Sequence, residues 1–175
     1  MDVIVRVLAD GLMIAVAAMA AYSFLILVPK NKWWYWGVRI FLAGLTTYLA
    51  AKLIGHFYQP ETLRPFEKLG LEPGAAYLKN PGFPSDHALF ATFLTIAVWV
   101  STKRRQIAIT MLVLTAAMAL GRVLALVHTP LDVIGGMLIP LVGVVWYGQT
   151  ANKLLQYIEL RGVKHGKRRS GVSNK

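Results

Sequence analysis

Cysteine is absent from this 175-residue sequence, which excludes disulfide bonds, zinc–thiolate sites and thiol catalysis. Charge is also scarce, because only 15% of the residues are Asp, Glu, Lys or Arg, whereas 56% are hydrophobic. The mean hydropathy of +0.52 lies well outside the range of soluble globular domains. These values indicate a membrane protein.

Acidic residues are the rarer charged class, with 8 against 19 basic residues. In a soluble protein this excess would suggest a nucleic-acid partner. Here the basic residues cluster between apolar runs and at the C-terminus, as they do at the cytoplasmic side of membrane proteins. We therefore expect no nucleic-acid partner.

Five apolar segments approach the roughly 20 residues that a helix needs to cross a bilayer. They span about residues 7–28, 38–54, 85–100, 107–127 and 131–149. The first is too long for the core of a signal peptide, so we interpret it as a retained helix. The sequence thus predicts an all-α, polytopic membrane helix bundle with about five transmembrane helices. One membrane domain, residues 1–160, would precede a basic cytoplasmic tail, residues 161–175, that is expected to be disordered.

Smaller features of these segments carry further expectations. The aromatic cluster at 33–36 is typical of an interfacial belt, and Arg39 is expected to reach the membrane surface by snorkelling. The pair Gly135 and Gly136 predicts a close approach between helices.

The basic residues also predict the topology. Lys30 and Lys32, residues 103–105 and the basic tail should face the cytoplasm. With five crossings, the N-terminus then lies outside and the C-terminus in the cytoplasm. The loop 55–84 and the turn around His128 would consequently share the outer face.

Three ionisable residues, Arg122, His128 and Asp132, lie in otherwise apolar sequence, where such groups are costly and are usually functional. Thr129 as an N-cap and Pro130 in the first turn predict a helix start between the imidazole and the carboxylate. Asp132 could then orient His128 and leave one ring nitrogen free as a nucleophile. The alternative is a capping acid beside an interfacial histidine.

Two further polar clusters are expected on the same face. One is Arg64 with Pro65, and the other is Ser85, Asp86 and His87 at the start of the third segment. A phosphate could lie between the arginines and the helix N-terminus, while His87 protonates the departing oxygen. Taken alone, the first cluster is better explained by loop packing, and the second is compatible with an ordinary helix start.

Together these residues resemble the three-part signature of the type 2 phosphatidic acid phosphatase superfamily of membrane lipid phosphatases. Its third motif is matched by Arg122, His128 and Asp132. Its second motif, Pro-Ser-Gly-His, is similar to residues 84–87, and its first ends in Arg-Pro, as residues 64–65 do.

The resemblance covers about residues 50–140 and implies a role for each matched residue. His128 would be the nucleophile that becomes phosphohistidine, Asp132 its orienting partner and His87 the general acid. The substrate-binding residues would be Arg64, Arg122, Ser85 and Asp86. The resemblance also implies that no metal or other cofactor is needed.

The sequence departs from the family pattern at three positions. Phe57 stands where the first motif usually begins with Lys, and Gly121 where Ser usually precedes the arginine of the third motif. Asp86 replaces the common Gly, as in the bacterial undecaprenyl-diphosphate phosphatase branch. Three nearby residues are candidates for supplying the missing positive charge: Lys52, His56 and Lys68.

The resemblance to the undecaprenyl-diphosphate phosphatase branch implies an integral phosphatase of the bacterial inner membrane, with its active site on the outer face. The enzyme would hydrolyse a polyprenyl (undecaprenyl) diphosphate to the monophosphate and phosphate. Phosphatidate or phosphatidylglycerophosphate is an alternative substrate within the same superfamily. A non-catalytic protein that binds anionic lipids is the alternative from another class. The sequence leaves the oligomeric state open.

Overall fold

The computed structural model describes residues 3–148, and within that range the chain is helical and contains no strand. The helices are α1 (Val3–Leu27), α2 (Trp33–Phe57), α3 (Pro65–Leu69), α4 (Asp86–Thr102), α5 (Arg105–Leu124) and α6 (Pro130–Leu138), which continues as a 3-10 segment (Ile139–Tyr147). The five predicted apolar segments coincide with α1, α2, α4, α5 and α6. The end of the predicted domain and the predicted tail lie outside the described residues.

The fourth helix is the centre of the bundle, because it contacts α1, α2, α5 and α6. Its buried positions are mostly small: Ala88, Leu89, Ala91, Thr92, Thr95, Ala97 and Val98. Small side chains let neighbouring helices approach closely, as is common in membrane bundles. The N-terminus of this central helix carries His87, so the packing of the whole bundle fixes the position of that residue.

Large apolar side chains cover the outside of the bundle. Ile14 on α1, Phe41 on α2 and Val113 on α5 are all more than 60% exposed. Within residues 3–148, four helical stretches are long and apolar enough to cross a membrane: Val3–Leu27, Lys30–Phe57, Arg105–Leu124 and Pro130–Tyr147. The central helix, at 17 residues, is a shorter apolar helix. An all-helical membrane bundle is therefore confirmed, whereas five crossings and their orientation stay predictions.

Arg39 does not snorkel to the surface, so that prediction was wrong. Its side chain is buried, with 1% exposure. It donates from Nη1 to the carbonyl oxygen of Trp146 at 2.7 Å, and its guanidinium lies 4.2 Å from the centre of the Tyr35 ring. The 3-10 segment packs along α2, and its backbone carbonyl at Trp146 is a partner for the Arg39 cation. The sequence around Arg39 does not indicate this contact.

The predicted close approach at the glycine pair is confirmed. A Cβ atom at Gly136 would lie only 2.6 Å from the carbonyl oxygen of Ser85, so only glycine lets α6 pack this tightly against the start of α4. The N–H of Ser85 also donates to the carbonyl of Asp132 at 2.9 Å. These contacts join the beginnings of two helices that both carry predicted site residues.

Residues 58–85, here called the long loop, connect α2 to the central helix. The loop contains one short helix, α3. Pro65 occupies its first turn, and the Glu67 carboxylate accepts a hydrogen bond from the N–H of Arg64 at 2.7 Å. This helix orients the preceding arginine.

Candidate active site

A pocket of about 180 Å³ opens where the long loop meets the turn before α6. His87, His128, Arg64 and Arg122 all line it, together with Asp86. The remaining wall comes from the long loop: Ala76, Tyr77, Leu78, Asn80, Pro81, Gly82 and Pro84. The fold therefore brings residues from all three sequence clusters to one pocket.

Backbone hydrogen bonds from the long loop hold the turn that carries His128. The N–H groups of Phe66 and Gly74 donate to the carbonyls of Leu126 and Ala125, each at 3.0 Å. Leu126 has a φ of +59°, which is disfavoured for a residue with a branched apolar side chain. The turn is thus shaped by its contacts with the loop rather than by its own conformational preference.

His128 and Asp132 form the predicted pair at the start of α6. Thr129 is the N-cap: its hydroxyl accepts from the N–H of Asp132 at 3.2 Å, and its own N–H donates to Oδ2 of that carboxylate at 2.8 Å. The same Oδ2 atom lies 3.5 Å from Nδ1 of His128. The predicted helix start is confirmed. The carboxylate faces Nδ1 but makes no hydrogen bond with it, and the use of Nε2 as the attacking nitrogen stays a prediction.

The His128 side chain is 5% exposed. Burial lowers the pKa of this imidazole below its ordinary value, and the positive charges of Arg122 and Arg64 act in the same direction, while the Asp132 carboxylate opposes them. Since a nucleophile needs a free lone pair, a lowered pKa, which favours the neutral imidazole, suits that role.

His87 lies in the first turn of α4 and is more accessible than His128, with 31% of its side chain exposed. Its Nε2 atom is 3.9 Å from Oδ1 of Asp10. Both imidazoles line the same pocket, so the two predicted catalytic histidines can contact one bound group.

The two arginines have different surroundings. Arg122 is 1% exposed and donates from Nη1 to Oδ1 of Asp10 at 2.7 Å. Arg64 donates from Nη2 to Oδ1 of Asn80 at 2.9 Å and to the carbonyl of Leu78 at 3.1 Å. Burial lowers the pKa of Arg64, but an arginine remains charged at physiological pH. Arg64 therefore both presents positive charge to the pocket and ties the long loop together.

Ser85 and Asp86 occupy different positions relative to the pocket. Ser85 precedes the central helix as predicted, but its hydroxyl makes no capping bond and has no hydrogen-bond partner within residues 3–148. It is fully buried and does not belong to the pocket wall. Asp86 lines the pocket and lies 3.7 Å from Lys52, whose side chain is half exposed. Their roles in substrate binding stay predictions.

The missing lysine of the first motif has no replacement among the described residues of the pocket wall. Phe57 is 79% exposed at the end of α2, pointing away from the core. The Lys68 ammonium pairs with Glu61 on the exposed side of the long loop. None of the three candidates lines this pocket, but Lys52 and His56 line an adjoining pocket that shares Asn80, Pro81, Pro84 and Asp86 with it.

Asp10 is a residue of the site that the sequence reading did not identify. It is the one charged residue in the first apolar segment, 7–28. That isolation was an available signal, because a carboxylate inside a membrane segment is costly and usually has a functional partner. Nothing local to the segment indicated which partner it contacts.

Residues 3–148 contain no group of three or more His, Asp or Glu side chains that could hold a metal ion. The expectation of a metal-free reaction stays a prediction. The pocket offers two imidazoles for proton or group transfer and two guanidinium groups for an anion. Guanidinium groups match the oxygens of phosphate well, so the arrangement suits phosphoryl chemistry.

Comparison with known proteins agrees with this chemistry. The "Putative undecaprenyl-diphosphatase YbjG" of Escherichia coli (strain K12) is 27% identical over 165 residues, which cover 84% of this chain and 80% of that protein. No solved structure gives a significant match.

The model of one protein family, described as the PAP2 superfamily, matches residues 32–155. This match includes α2 through the 3-10 segment and all predicted site residues, and it extends over well more than half of the sequence. The chain therefore belongs to the PAP2 superfamily.

Proposed function

We propose that this protein is an integral membrane lipid phosphatase that hydrolyses a polyprenyl diphosphate to the monophosphate and phosphate. One observation carries the proposal: His87, His128, Arg64 and Arg122 line a single pocket, and a carboxylate lies behind His128. The family match supports phosphatase chemistry. The name of the E. coli relative supports the diphosphate substrate.

In the proposed first step, Nε2 of His128 attacks the terminal phosphorus, and the bond from that phosphorus to the bridging oxygen breaks. His87 gives its proton to the bridging oxygen, and the lipid monophosphate leaves. The negative charge that develops on the phosphoryl oxygens is stabilised by Arg64 and Arg122. The product of this step is a phosphohistidine at position 128.

In the second step, water attacks the phosphohistidine, and His87, now neutral, accepts a proton from that water. The phosphorus–nitrogen bond breaks, inorganic phosphate leaves, and both histidines return to their starting states. The lipid tail stays in the bilayer throughout. We place the pocket at the outer face of the bacterial inner membrane, following the distribution of basic residues.

The substrate assignment is tested with purified protein, long-chain polyprenyl diphosphate and phosphatidate, in excess EDTA. We expect phosphate release to continue in EDTA and to be at least about tenfold faster from the diphosphate, which corresponds to roughly 1.4 kcal/mol. Faster turnover of phosphatidate would contradict the substrate but not the phosphatase activity. Lipid binding without any phosphate release would favour the non-catalytic alternative.

The mechanism also predicts a bell-shaped dependence of kcat on pH, which reports ionisations in the enzyme–substrate complex. The acid limb reports protonation of His128, and because burial lowers the pKa of this residue, the limb should lie below about pH 6.5, the ordinary histidine value. The alkaline limb reports loss of the proton from His87, whose lowered pKa is raised again by the negative charge of the bound diphosphate. A rate that is constant between about pH 5 and 8, where histidines normally titrate, would count against this assignment.

A further inference from the structure

The carboxylate of Asp10 reaches three parts of the site at once. Its Oδ1 atom accepts from Nη1 of Arg122 at 2.7 Å and lies 3.9 Å from Nε2 of His87. Its Oδ2 atom accepts from the N–H of Ala76 in the long loop at 3.0 Å. One side chain of α1 therefore contacts the buried arginine and the wall of the pocket, and lies beside the second histidine.

The backbone of α1 is adapted to deliver this carboxylate. Asp10 lies in a π-helical turn, Val7–Gly11, and such turns are rare and frequently occur at functional sites. The turn packs directly against α5 at Gly121, where a Cβ atom would lie 2.7 Å from the nitrogen of Ala9 and 2.8 Å from the carbonyl carbon of Leu8. Gly121, one of the three residues that depart from the family pattern, is thus the residue that lets α1 pack closely against α5.

The charges around His87 decide what Asp10 can do there. Burial has the largest effect on His87, and the positive charges of Arg122 in α5 and His128 in the turn before α6 act with it, so the pKa of His87 is lowered to about 4. Asp86, in the same helix turn, and Asp10, from α1, are the opposing carboxylates. Asp86 forms an ion pair with Lys52 at 3.7 Å. Asp10 is therefore the carboxylate that lies between His87 and Arg122.

We propose that Asp10 is a positioning residue that, together with the negative charge of the bound diphosphate, favours the protonated form of His87 for transfer to the leaving oxygen and orients Arg122 toward the bound phosphate. This inference rests on the proposed function, because it assigns a task to a neighbour of the general acid. The Oδ1 atom accepts from the guanidinium and faces Nε2, so the loss of its negative charge affects both groups together.

The test is the pH profile of Asp10→Asn with polyprenyl diphosphate. Asparagine keeps the shape and an oxygen acceptor but removes the charge. We expect kcat to fall about tenfold near pH 7.5, and the alkaline limb to move about one pH unit toward lower pH, because the protonated imidazole loses a neighbouring negative charge. Asp10→Glu, which restores the charge, should return the limb to its original position even if kcat stays reduced.

The control is Glu72→Gln, which removes a carboxylate from an exposed part of the long loop and should leave the profile unchanged. If Asp10→Asn does not fold, the smaller uncharged variant Asp10→Ser is used and should give the same shift. An unchanged limb, whether kcat is normal or is lowered equally at every pH, would overturn the inference. Failure of the proposed function itself would be recognised separately, as absence of phosphate release by the parent or full activity of His128→Ala.

Discussion

Replacing His128 with alanine is expected to reduce phosphate release from polyprenyl diphosphate by about 1,000-fold or more, as loss of a nucleophile does in other enzymes with covalent intermediates. The imidazole is 5% exposed, and Nδ1 faces Asp132 at 3.5 Å. Water could not readily replace a nucleophile that is already desolvated and oriented. The measurement is the initial rate of phosphate release by purified parent and variant at the same protein concentration.

His56→Ala is the matched control. It removes an imidazole from an exposed position near the end of α2, and His56 does not line the active-site pocket. Its rate should remain within about twofold of the parent, since a substitution at an exposed position outside the active-site pocket usually has a small effect. Brief incubation of the parent with substrate labelled in the terminal phosphate should also label the protein, and His128→Ala should remain unlabelled. An alanine variant as active as the parent would refute the nucleophile assignment.

The helices of this bundle were predictable because hydropathy is a local property. The ends of each predicted apolar segment lie within a few residues of the ends of a helix. Thr129 and Pro130 indicated the start of α6 because their types favour the N-cap and the first turn of a helix. The partners of buried charges were not predictable in the same way. Arg39 pairs with the backbone of Trp146, more than 100 positions away, and nothing in the sequence near either residue specifies that contact.

In the candidate site, too, some residues were predictable from the sequence and others were not. The residues of the sequence motifs could be identified because their types and spacing fit phosphoryl chemistry, and the fold brings His87, His128, Arg64 and Arg122 to one pocket. Asp10 could not be assigned to that pocket, because its contact with Arg122 depends on how α1 packs against α5. The long loop also had no predictable course, since its hydrogen bonds are made with the distant turn at 125–126.

The substitution Gly121→Ser is expected to have a large effect. The direction in which activity changes distinguishes a phosphate-binding role from a packing role at this position. If the serine usual in the family served only to donate a hydrogen bond to phosphate, restoring it at this position would raise activity. The packing predicts the opposite, because the new Cβ would lie under 3 Å from backbone atoms of Ala9 and Leu8, which cannot rotate away. We expect stability to fall by about 2 kcal/mol, within the usual cost of overpacking.

We also expect the activity of Gly121→Ser to fall about 100-fold, since displacement of α1 would disturb Asp10 and Arg122 together and small errors in position are costly in catalysis. Gly37→Ser in α2 is the matched control: a Cβ atom there meets nothing within 4 Å, so activity and thermal midpoint should match the parent. Thermal unfolding in detergent and phosphate release measure the two effects. An active, equally stable Gly121→Ser protein would mean that α1 does not pack against α5 at this glycine. The explanation of how Asp10 comes to contact Arg122 would then be wrong.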